Sequence, residues 1–316
     1  MFDKKYTNVT VIIPHKNDSH IICRAIDSIR AQSYLPKQIL VIDDCSDLTH
    51  QISLDKIISE YKLTLPIIWV SSFGRGLAAA RNTGIFLAEN ELLAFLDCDD
   101  EWRFDKLSLQ VDGFDEKYAA IHSWCSDVYP DGSEVFLQPR MNYSQKDLVK
   151  GFYSVTGSSS SIILTKEIAQ KVGGFDESLE AGEDLDMWVR ISAYGALKCI
   201  DKPLVKVHRR DTGAQQNLRV NPEIKIISYQ KMVLGWVEKG IVNVNLARNI
   251  LAIRLFFVTS EFSRFSNKCM AIQFLFRYIS KFCKIYKAKF LLNCFYAIFI
   301  IILDKIRYKS ELMQLK

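Results

Sequence analysis

Short runs of apolar residues alternate along the first hundred residues with segments whose apolar residues recur every three or four positions. Runs of four or five apolar residues suit strands covered on both faces, as in a parallel sheet. The recurring spacing suits helices that bury one face. The predicted strands are Val9–Ile13, Gln38–Ile42, Pro66–Val70 and Leu92–Leu96, and the predicted helices are Ile22–Ile29, Leu54–Tyr61 and Gly76–Ala88. This β-α-β-α-β-α-β order predicts right-handed crossovers and an α/β fold with a mostly parallel, Rossmann-like sheet.

After Asp100 the pattern loosens into a mixed region and then becomes helical. We predict helices at Asp105–Phe114 and Lys166–Val172 and from Glu183, with strands at Ala119–Trp124, Glu134–Leu137 and Ser158–Leu164. From about Asn221 the chain is helical, aromatic and basic. We therefore expect a first domain over residues 1–215 and a helical, basic extension over residues 216–316. At the start of the first helix, we expect the side chain of Asp18 or Ser19 to act as the cap.

Acidic residues follow two of the predicted strands at once. Asp43 and Asp44 follow the second strand, and Asp97-Cys98-Asp99-Asp100 follows the fourth. The carboxyl ends of parallel strands share one edge of a sheet, which is where ligands bind in open α/β folds. Three neighbouring carboxylates repel one another unless a cation or a proton shares the site. The pattern predicts a metal-binding acidic cluster in a crevice, with a solvated acidic turn as the alternative.

Charge is distributed unevenly over the 316 residues. The net charge is +5, but residues 1–215 carry 24 basic and 31 acidic side chains, whereas residues 216–316 carry 17 basic and 5 acidic ones. This asymmetry indicates an acidic domain joined to a basic segment that meets an anionic partner. No recognised nucleic-acid motif accompanies the basic charge, so we expect no nucleic-acid partner.

The cysteines and the first residues indicate a cytoplasmic protein. The eight cysteines are scattered and form no CxxC pair, which fits a reducing compartment better than a disulfide framework. The first six residues, Met-Phe-Asp-Lys-Lys-Tyr, contain no apolar run of the kind that a secretory signal needs.

The longest nearly unbroken apolar stretch is Phe290–Leu303, interrupted by Asn293. It is shorter than the roughly 20 residues of a membrane-spanning helix. Basic residues flank it on both sides: Lys281, Lys284, Lys287, Lys289, Lys305, Arg307 and Lys309. An apolar helix with lysines at both ends is typical of one that lies on an anionic membrane surface, here the inner face of the cytoplasmic membrane. The alternative is a helix packed on this chain or on a second subunit in a homo-oligomer.

Six short segments resemble, in chain order over about residues 7–215, the inverting glycosyltransferases of family 2, which have the GT-A fold. They are Val11-Ile-Ile-Pro14, Val41-Ile-Asp43-Asp44-Cys45-Ser46-Asp47, Gly76 with Arg81-Asn82-Thr83-Gly84, Asp97-Cys-Asp99-Asp100, Val172-Gly-Gly-Phe-Asp176-Glu177 and Glu183-Asp184-Leu-Asp-Met-Trp188-Val-Arg190. Two positions depart from the family pattern. His15-Lys16-Asn17 stands where a small residue and Tyr are usual, and Cys45 replaces a usual Gly. We take Cys45 to mean that its turn needs no positive φ.

The resemblance implies a nucleoside-diphosphate sugar donor, with UDP as the expected nucleotide, and Mn²⁺ or Mg²⁺ on its diphosphate. These hard ions prefer oxygen ligands and usually take one or two carboxylates, which leaves room for phosphate oxygens. By the same carry-over, Asp99 is the direct metal ligand. Asp97 or Asp100 either shares the ion or holds hydroxyl groups of the donor.

The resemblance also implies roles around the nucleotide. Asp44, helped by Asp43, accepts hydrogen bonds from the base or the ribose, and the loop that begins at Pro14 approaches the nucleotide. Arg81 faces the phosphate or the acceptor, or instead braces the acidic strand ends. His208 reaches the metal or the diphosphate when a C-terminal loop closes, unless it is an ordinary surface histidine. Trp102 and Trp188 either stack on sugar or base or pack in the core, and Arg209 and Arg210 clamp phosphate.

Asp184 is the predicted general base. It accepts the proton of an acceptor hydroxyl whose oxygen attacks the anomeric carbon from the face opposite the diphosphate. Glu183 hydrogen-bonds the acceptor or orients Asp184. The alternative is that both carboxylates only cap a helix.

Three functions compete at this stage. The first is an inverting, metal-dependent glycosyltransferase that builds a surface polysaccharide on a glycan or lipid-linked acceptor. The second is a sugar-phosphate nucleotidyltransferase, which would typically have a glycine-rich triphosphate loop after the first strand. Pro14-His-Lys-Asn-Asp18 contains no glycine and argues against it. The third is a non-catalytic, membrane-associated scaffold, against which the presence of both Asp99 and Asp184 argues.

Overall fold

The computed structural model describes residues 5–137, 142–150, 158–210 and 221–265, together with residues 273 and 278. Contacts within the chain divide it into two compact units. The first consists of Met1–Ser178 and Glu183–Arg210, and the second consists of Leu179–Gly182 and Asp211–Lys316. The predicted C-terminal apolar segment, Phe290–Leu303, lies outside the described residues.

Nine strands of the first unit form one sheet in the part of the chain that the structure describes. The strands are β1 (Lys5–His15), β2 (Tyr34–Asp43), β3 (Ile67–Ser71), β4 (Leu92–Phe95), β5 (Asp100–Trp102), β6 (Tyr118–Val128), β7 (Glu134–Leu137), β8 (Ile163–Thr165) and β9 (Ala196–His208). The helices of this unit are α1 (Ile22–Arg30), α2 (Leu48–Tyr61), α3 (Leu77–Leu87), α4 (Lys106–Asp112), α5 (Gln145–Lys150), α6 (Lys166–Lys171) and α7 (Glu183–Ile191). The strand order is β3-β2-β1-β4-β8-β6-β9-β5, with β7 beside β6.

The first half of the sheet is the predicted parallel one. β1 lies between β2 and β4, and all three run in the same direction, as does β3 beside β2. The apolar side chains of β1 explain its central place, because Val9, Val11, Ile12 and Ile13 are all completely buried. A strand covered on both faces needs apolar residues at consecutive positions. The predicted strand at Val9–Ile13 is therefore confirmed as the centre of β1.

The second half of the sheet is mixed. β8 joins the two halves by pairing antiparallel with both β4 and β6, and β6 runs parallel to β9. β5 pairs antiparallel with β9, and Asp100 lies opposite Val207. The acidic tetrapeptide therefore spans the connection from β4 to β5, and its last carboxylate belongs to a strand.

Two local predictions were wrong. The side chain of neither Asp18 nor Ser19 caps α1, whose N-cap is Ile21 without a side-chain hydrogen bond. Instead, the backbone carbonyl of Asp18 accepts from the N–H groups of Ile21 and Ile22. Cys45 has a φ of 53°, so the turn after β2 does adopt the left-handed conformation that favours Gly. In addition, α2 begins at Leu48, well before the predicted start at Leu54.

The second unit contains two described helices, α8 (Pro222–Glu238) and α9 (Val244–Phe265). Trp236 of α8 and Leu251 and Leu255 of α9 are buried. The Ser228 hydroxyl donates to the Ala181 carbonyl over 2.8 Å, which ties α8 to the 179–182 segment of the same unit. Among the described residues, no helix combines the length and the apolar character that crossing a membrane requires.

Gly84 lets α3 pack closely on β1. A Cβ atom built at this position would lie 2.4 Å from Cγ2 and 2.9 Å from Cγ1 of Ile12, which is itself completely buried. A branched side chain in the middle of a sheet has little room to move. Contact this close therefore makes any side chain at position 84 an overpacking change.

We predict that Gly84→Ala lowers the free energy of unfolding by about 1–2 kcal/mol, because the clash with Ile12 outweighs the roughly 1 kcal/mol of helix propensity that Ala brings. Gly235→Ala is the matched control, since Gly235 also lies in a helix but has no atom within 4 Å of a Cβ there. It should stabilise by about 0.5–1 kcal/mol. Urea unfolding of both variants checks the two signs, and stabilisation by both would contradict the close α3–β1 contact.

Candidate active site

The acidic residues after β2 and β4 meet beside the end of β1. The Asp44 N–H donates to the His15 carbonyl over 2.8 Å, and the Leu96 N–H donates to the Ile12 carbonyl over 3.0 Å. Both acidic segments thus leave the sheet on either side of the same strand. The prediction that they share one edge is confirmed, and the reason is that β1 is the common parallel neighbour of β2 and β4.

Arg81 connects this edge to the start of α7. Its guanidinium donates to Asp97 Oδ1 over 2.9 Å and to Glu183 Oε1 over 3.1 Å. The side chain of Arg81 is 2% exposed, whereas those of Asp97 and Glu183 are 29% and 15% exposed. Of the two roles considered for Arg81, the structure has it bracing acidic groups at the sheet edge.

The charges around Arg81 are interdependent. Burial alone lowers the pKa of Arg81, but the charges of Asp97 and Glu183 outweigh burial and raise it. Burial raises the pKa of Glu183, and the adjacent Asp184 raises it further, against the opposing effect of Arg81. The buried arginine therefore remains a cation that holds two carboxylates 86 positions apart in the sequence.

A second arginine contacts Asp99. Arg210 Nη2 lies 2.6 Å from Asp99 Oδ2, and the same guanidinium donates to both oxygens of Asp18, over 3.0 and 3.2 Å. Arg24 donates to the backbone carbonyl of Asp99 over 2.8 Å. Burial, and then the charge of Asp97, raise the pKa of Asp99, and Arg210 opposes them.

Asp100 has a different environment from the other two acids. Its side chain is almost fully buried, and its Oδ2 accepts from the hydroxyls of Ser158 and Ser160. Burial, followed by the charges of Asp97 and Asp99, raises the pKa of Asp100 well above its usual range. Ser160 Oγ also accepts from the Asp97 N–H over 3.0 Å. The short 3₁₀ turn at Ser159–Ser161 thus fixes both ends of the acidic tetrapeptide.

The acids after β2 are hydrogen-bonded from several sides. Asp43 is buried, with His15 Nδ1 2.9 Å from its Oδ1, and with the Ser46 N–H and the Gln51 amide on its Oδ2. Asp44 accepts from the Gly76 N–H over 2.8 Å and from Lys16 Nζ over 3.1 Å. Gly76 has a φ of 93°, so a residue with a side chain would be strained there.

Pro14 is buried in β1, where it lies opposite Ile42 of β2. This position directly precedes His15 and Lys16, which contact Asp43 and Asp44 as described above. Pro14 thus adjoins the acids after β2, and its role toward a nucleotide stays a prediction.

Asp184 is the second residue of α7, directly after Glu183. Its side chain is half-buried, and its Oδ1 accepts from the Leu185 N–H over 2.6 Å. It has an electrostatic influence on both Glu183 and Arg81. Its role as a general base stays a prediction.

The ring of His208 contacts Glu101, the residue directly after the acidic tetrapeptide, and its role toward a metal or diphosphate stays a prediction. Its Nε2 lies 3.3 Å from Glu101 Oε2, and the other oxygen of Glu101 accepts from Lys206 over 3.0 Å. Arg209 pairs with Asp127 over 2.8 Å, whereas the next residue, Arg210, contacts the Asp99 carboxylate. Both tryptophans are buried packing residues. Trp102 donates to the Ser160 carbonyl, and Trp188 stacks edge-on against Phe175.

The donor set at the strand end fits a hard divalent cation. Asp97 and Asp99 both keep exposed area, at 29% and 27% of their side chains, and both offer oxygen atoms. Burial and the negative charge of Asp97 raise the pKa of Asp99. A bound cation would offset both effects, because it favours the charged form of the carboxylate. Among the described residues, no group of three or more His, Cys, Asp or Glu side chains is arranged to hold a metal. Two carboxylates are nevertheless enough for an ion that also takes phosphate oxygens.

Sequence patterns did not identify several of these partners. Four of them belong to no motif: Asp18, Glu101, Ser158 and Ser160. Each forms a hydrogen bond with a residue far along the chain, as Asp18 does with Arg210. The four consecutive serines at positions 158–161 were the one available signal. A run of small hydroxyl residues before a buried strand indicates that the hydroxyl groups form hydrogen bonds, but it does not identify their partners.

Asp43 provides a test of the local electrostatics. Burial alone raises the pKa of Asp43, but hydrogen bonds from Ser46, His15 and Gln51 outweigh burial and lower it below 3.8. A carboxylate whose pKa is lower in the folded state stabilises the fold above its unfolded pKa, and this stability is lost as the pH falls through the folded value.

We therefore predict that Asp43→Asn reduces the free energy of unfolding by about 2 kcal/mol at pH 7. The difference from the wild type should shrink as the pH falls below about 4. Asp47→Asn is the control, because Asp47 lies in the same turn and bonds Asn17 at an exposed position. It should change stability by less than about 0.5 kcal/mol. A deficit for Asp43→Asn that is equally large at pH 3 and pH 7 would contradict this account.

Comparison with known proteins agrees with the geometry. A model of glycosyl transferase family 2 matches residues 10–173, more than half of the chain. The amylovoran biosynthesis glycosyltransferase AmsB of Erwinia amylovora is 29% identical over 219 residues, which cover 65% of this chain and 70% of that protein. Some other relatives are longer, and the alignment covers 33% of two of them.

Solved structures share the fold. S. aureus TarS, crystallised with UDP-GlcNAc, superposes with a TM-score of 0.58 at 21% identity, covering 79% of this chain and 72% of TarS. A mannosyltransferase from Pyrobaculum calidifontis, in complex with GDP-Man and Mn²⁺, gives a TM-score of 0.55 at 17% identity, covering 94% of this chain and 88% of the other.

The mixed α/β sheet with its acidic edge is thus the GT-A fold that the sequence motifs implied. The chain belongs to glycosyl transferase family 2.

Proposed function

We propose that this glycosyltransferase is an inverting, metal-dependent enzyme of polysaccharide biosynthesis. It moves a sugar from a nucleoside-diphosphate sugar, with UDP as the favoured nucleotide, to a hydroxyl group of a glycan acceptor. One observation carries this proposal: Arg81 bridges the acidic strand end, through Asp97, and the acidic start of α7, through Glu183. Inverting transfer uses a base that activates the acceptor hydroxyl, and a divalent ion on the donor diphosphate uses carboxylates of its own.

Asp99 and Asp97 are the residues that would hold Mn²⁺ or Mg²⁺. When bound, the cation supplies Lewis-acid neutralisation of the negative charge on the departing nucleoside diphosphate. Asp100 is bonded to Ser158 and Ser160 and holds the tetrapeptide in place. Asp43 and Asp44, which follow β2 at the same edge, remain the proposed contacts of the base or ribose. The complexes of the structural relatives with UDP-GlcNAc and with GDP-Man and Mn²⁺ support a donor of this class.

Asp184 is the proposed general base for the acceptor. It takes the proton of the acceptor hydroxyl while that oxygen forms a bond to the anomeric carbon. The bond from the anomeric carbon to the diphosphate oxygen breaks, and its electron pair leaves with the nucleoside diphosphate. Because Arg81 pairs with Glu183, the adjacent Asp184 is held at a fixed place relative to Asp97. Removing a proton with a well-placed carboxylate typically accelerates such a step by about 10²–10⁴-fold.

We also propose a lipid-linked acceptor at the inner face of the cytoplasmic membrane. The name of AmsB, a protein of amylovoran biosynthesis, supports the polysaccharide part. The excess of 17 basic over 5 acidic side chains in residues 216–316 supports the membrane part. The apolar segment Phe290–Leu303 and the basic residues on both sides of it, on which the membrane part depends, lie outside the described residues.

The test is thermal stability in the presence of UDP, GDP, CDP and dTDP, each with Mn²⁺ and then with excess EDTA. A nucleotide at 100 times its Kd should stabilise the protein by about 2.7 kcal/mol. We expect one nucleotide to stabilise the wild type only when Mn²⁺ is present. We expect Asp99→Asn to lose this response. The same response with EDTA, or no response to any nucleotide, would contradict the proposed metal–diphosphate site.

A further inference from the structure

Arg210 lies where a cation would bind to Asp99. Its Nη2 is 2.6 Å from Asp99 Oδ2, and this pair is about three-quarters buried, with 28% and 27% of the two side chains exposed. A carboxylate oxygen that accepts from a guanidinium at this distance has its charge largely compensated. A divalent cation at the same carboxylate would meet both a positive neighbour and an occupied oxygen.

Asp18 holds the other side of the same guanidinium. Its two oxygens accept from Nη1 and Nη2 of Arg210 over 3.0 and 3.2 Å, in the two-pronged arrangement that arginine makes with carboxylates. The thiol of Cys98 donates to Asp18 Oδ2 over 3.5 Å. Asp18 therefore offers Arg210 a second, two-pronged acceptor besides Asp99.

We propose that Arg210 is an internal competitor of the metal ion for Asp99, and that Asp18 sets the strength of this competition by drawing the guanidinium away. The inference rests on the proposed function, because it takes Asp99 as a metal ligand. Metal uptake at Asp99 then requires Arg210 to give up its 2.6 Å contact and to remain on Asp18 alone. Arg210 and Asp18 are positioning residues for the metal, and neither is assigned contact with the reacting atoms.

The neighbouring Arg209 supplies a matched control. It carries the same charge and is adjacent along the chain, but its guanidinium pairs with Asp127 over 2.8 Å. Removing either arginine changes the net charge equally. A difference between the two variants in metal affinity therefore reports the contact with Asp99 and not the general charge of the protein.

The experiment measures the Kd of Mn²⁺ by the electron paramagnetic resonance signal of the free ion, with no nucleotide present. We expect Arg210→Gln to bind Mn²⁺ about three- to fivefold more tightly than the wild type, which is the size of a partly exposed ion pair. Arg209→Gln should stay within about 1.5-fold of the wild type, because Arg209 pairs with Asp127 and salt screens its effect on more distant charges. Arg210→Lys keeps the charge and should lie nearer to the wild type than Arg210→Gln does.

We expect Asp18→Asn to change the affinity for Mn²⁺ in the opposite direction. Without Asp18, Arg210 concentrates on Asp99, and Mn²⁺ should bind about threefold more weakly. In the Arg210→Gln variant, adding Asp18→Asn should change the Mn²⁺ affinity little further, because the guanidinium that Asp18 draws away from Asp99 is absent. Non-additivity of this kind identifies residues that act through one another. Melting temperatures without metal establish that each variant is folded.

Two outcomes separate this inference from the proposed function. If the wild type binds Mn²⁺, Asp99→Asn does not, and Arg210→Gln binds it as the wild type does, the metal site stands and the competition by Arg210 is wrong. If neither the wild type nor Arg210→Gln binds Mn²⁺ without nucleotide, the inference is wrong, and the proposed metal site stands or falls with the nucleotide stability test alone. Equal tightening by Arg209→Gln and Arg210→Gln would also overturn the inference, because it would reduce the effect to net charge.

Discussion

Arg81 is 2% exposed and pairs with Asp97 on one side and with Glu183 on the other. Removing one member of such a buried group leaves an unpaired charge, at a cost of about 3–5 kcal/mol. The three side chains are therefore stable in place only as a set. Asp97 belongs to the strand end that is proposed to hold the donor, and Glu183 adjoins the proposed base Asp184. One guanidinium thus fixes the distance between the two halves of the proposed reaction.

The sheet topology brings these groups together. β1 has β2 and β4 as its parallel neighbours, so the acids that follow β2 and β4 emerge beside the same end of β1. β8 then returns antiparallel beside β4, and the serine turn before β8 bonds to Asp97 and Asp100. The acidic connection is held by hydrogen bonds to Ser160, Arg81 and Arg210. Strong repulsion among neighbouring carboxylates is thereby offset before any ligand arrives.

The parallel half of the fold could be predicted because consecutive apolar residues, as in Val9–Ile13, are needed by any strand buried on both faces. The shared acidic edge followed from that topology. Capping of α1 could not be predicted, because the Asp18 side chain bonds instead to Arg210, 192 positions later in the chain. The positive φ of Cys45 was missed because a non-glycine residue was taken as evidence of ordinary backbone geometry. Contacts between distant polar side chains leave no periodic trace in a sequence.

If the acids on the two sides of Arg81 have separate tasks, Asp184→Asn should impair sugar transfer and leave donor binding intact. The experiment measures sugar transfer from the donor identified by nucleotide binding, together with the stabilisation of the same variant by that nucleotide and Mn²⁺. The account predicts that transfer falls by about 10²–10⁴-fold while the stabilisation matches that of the wild type. Transfer at the wild-type rate, or loss of nucleotide stabilisation along with activity, would contradict the division of roles.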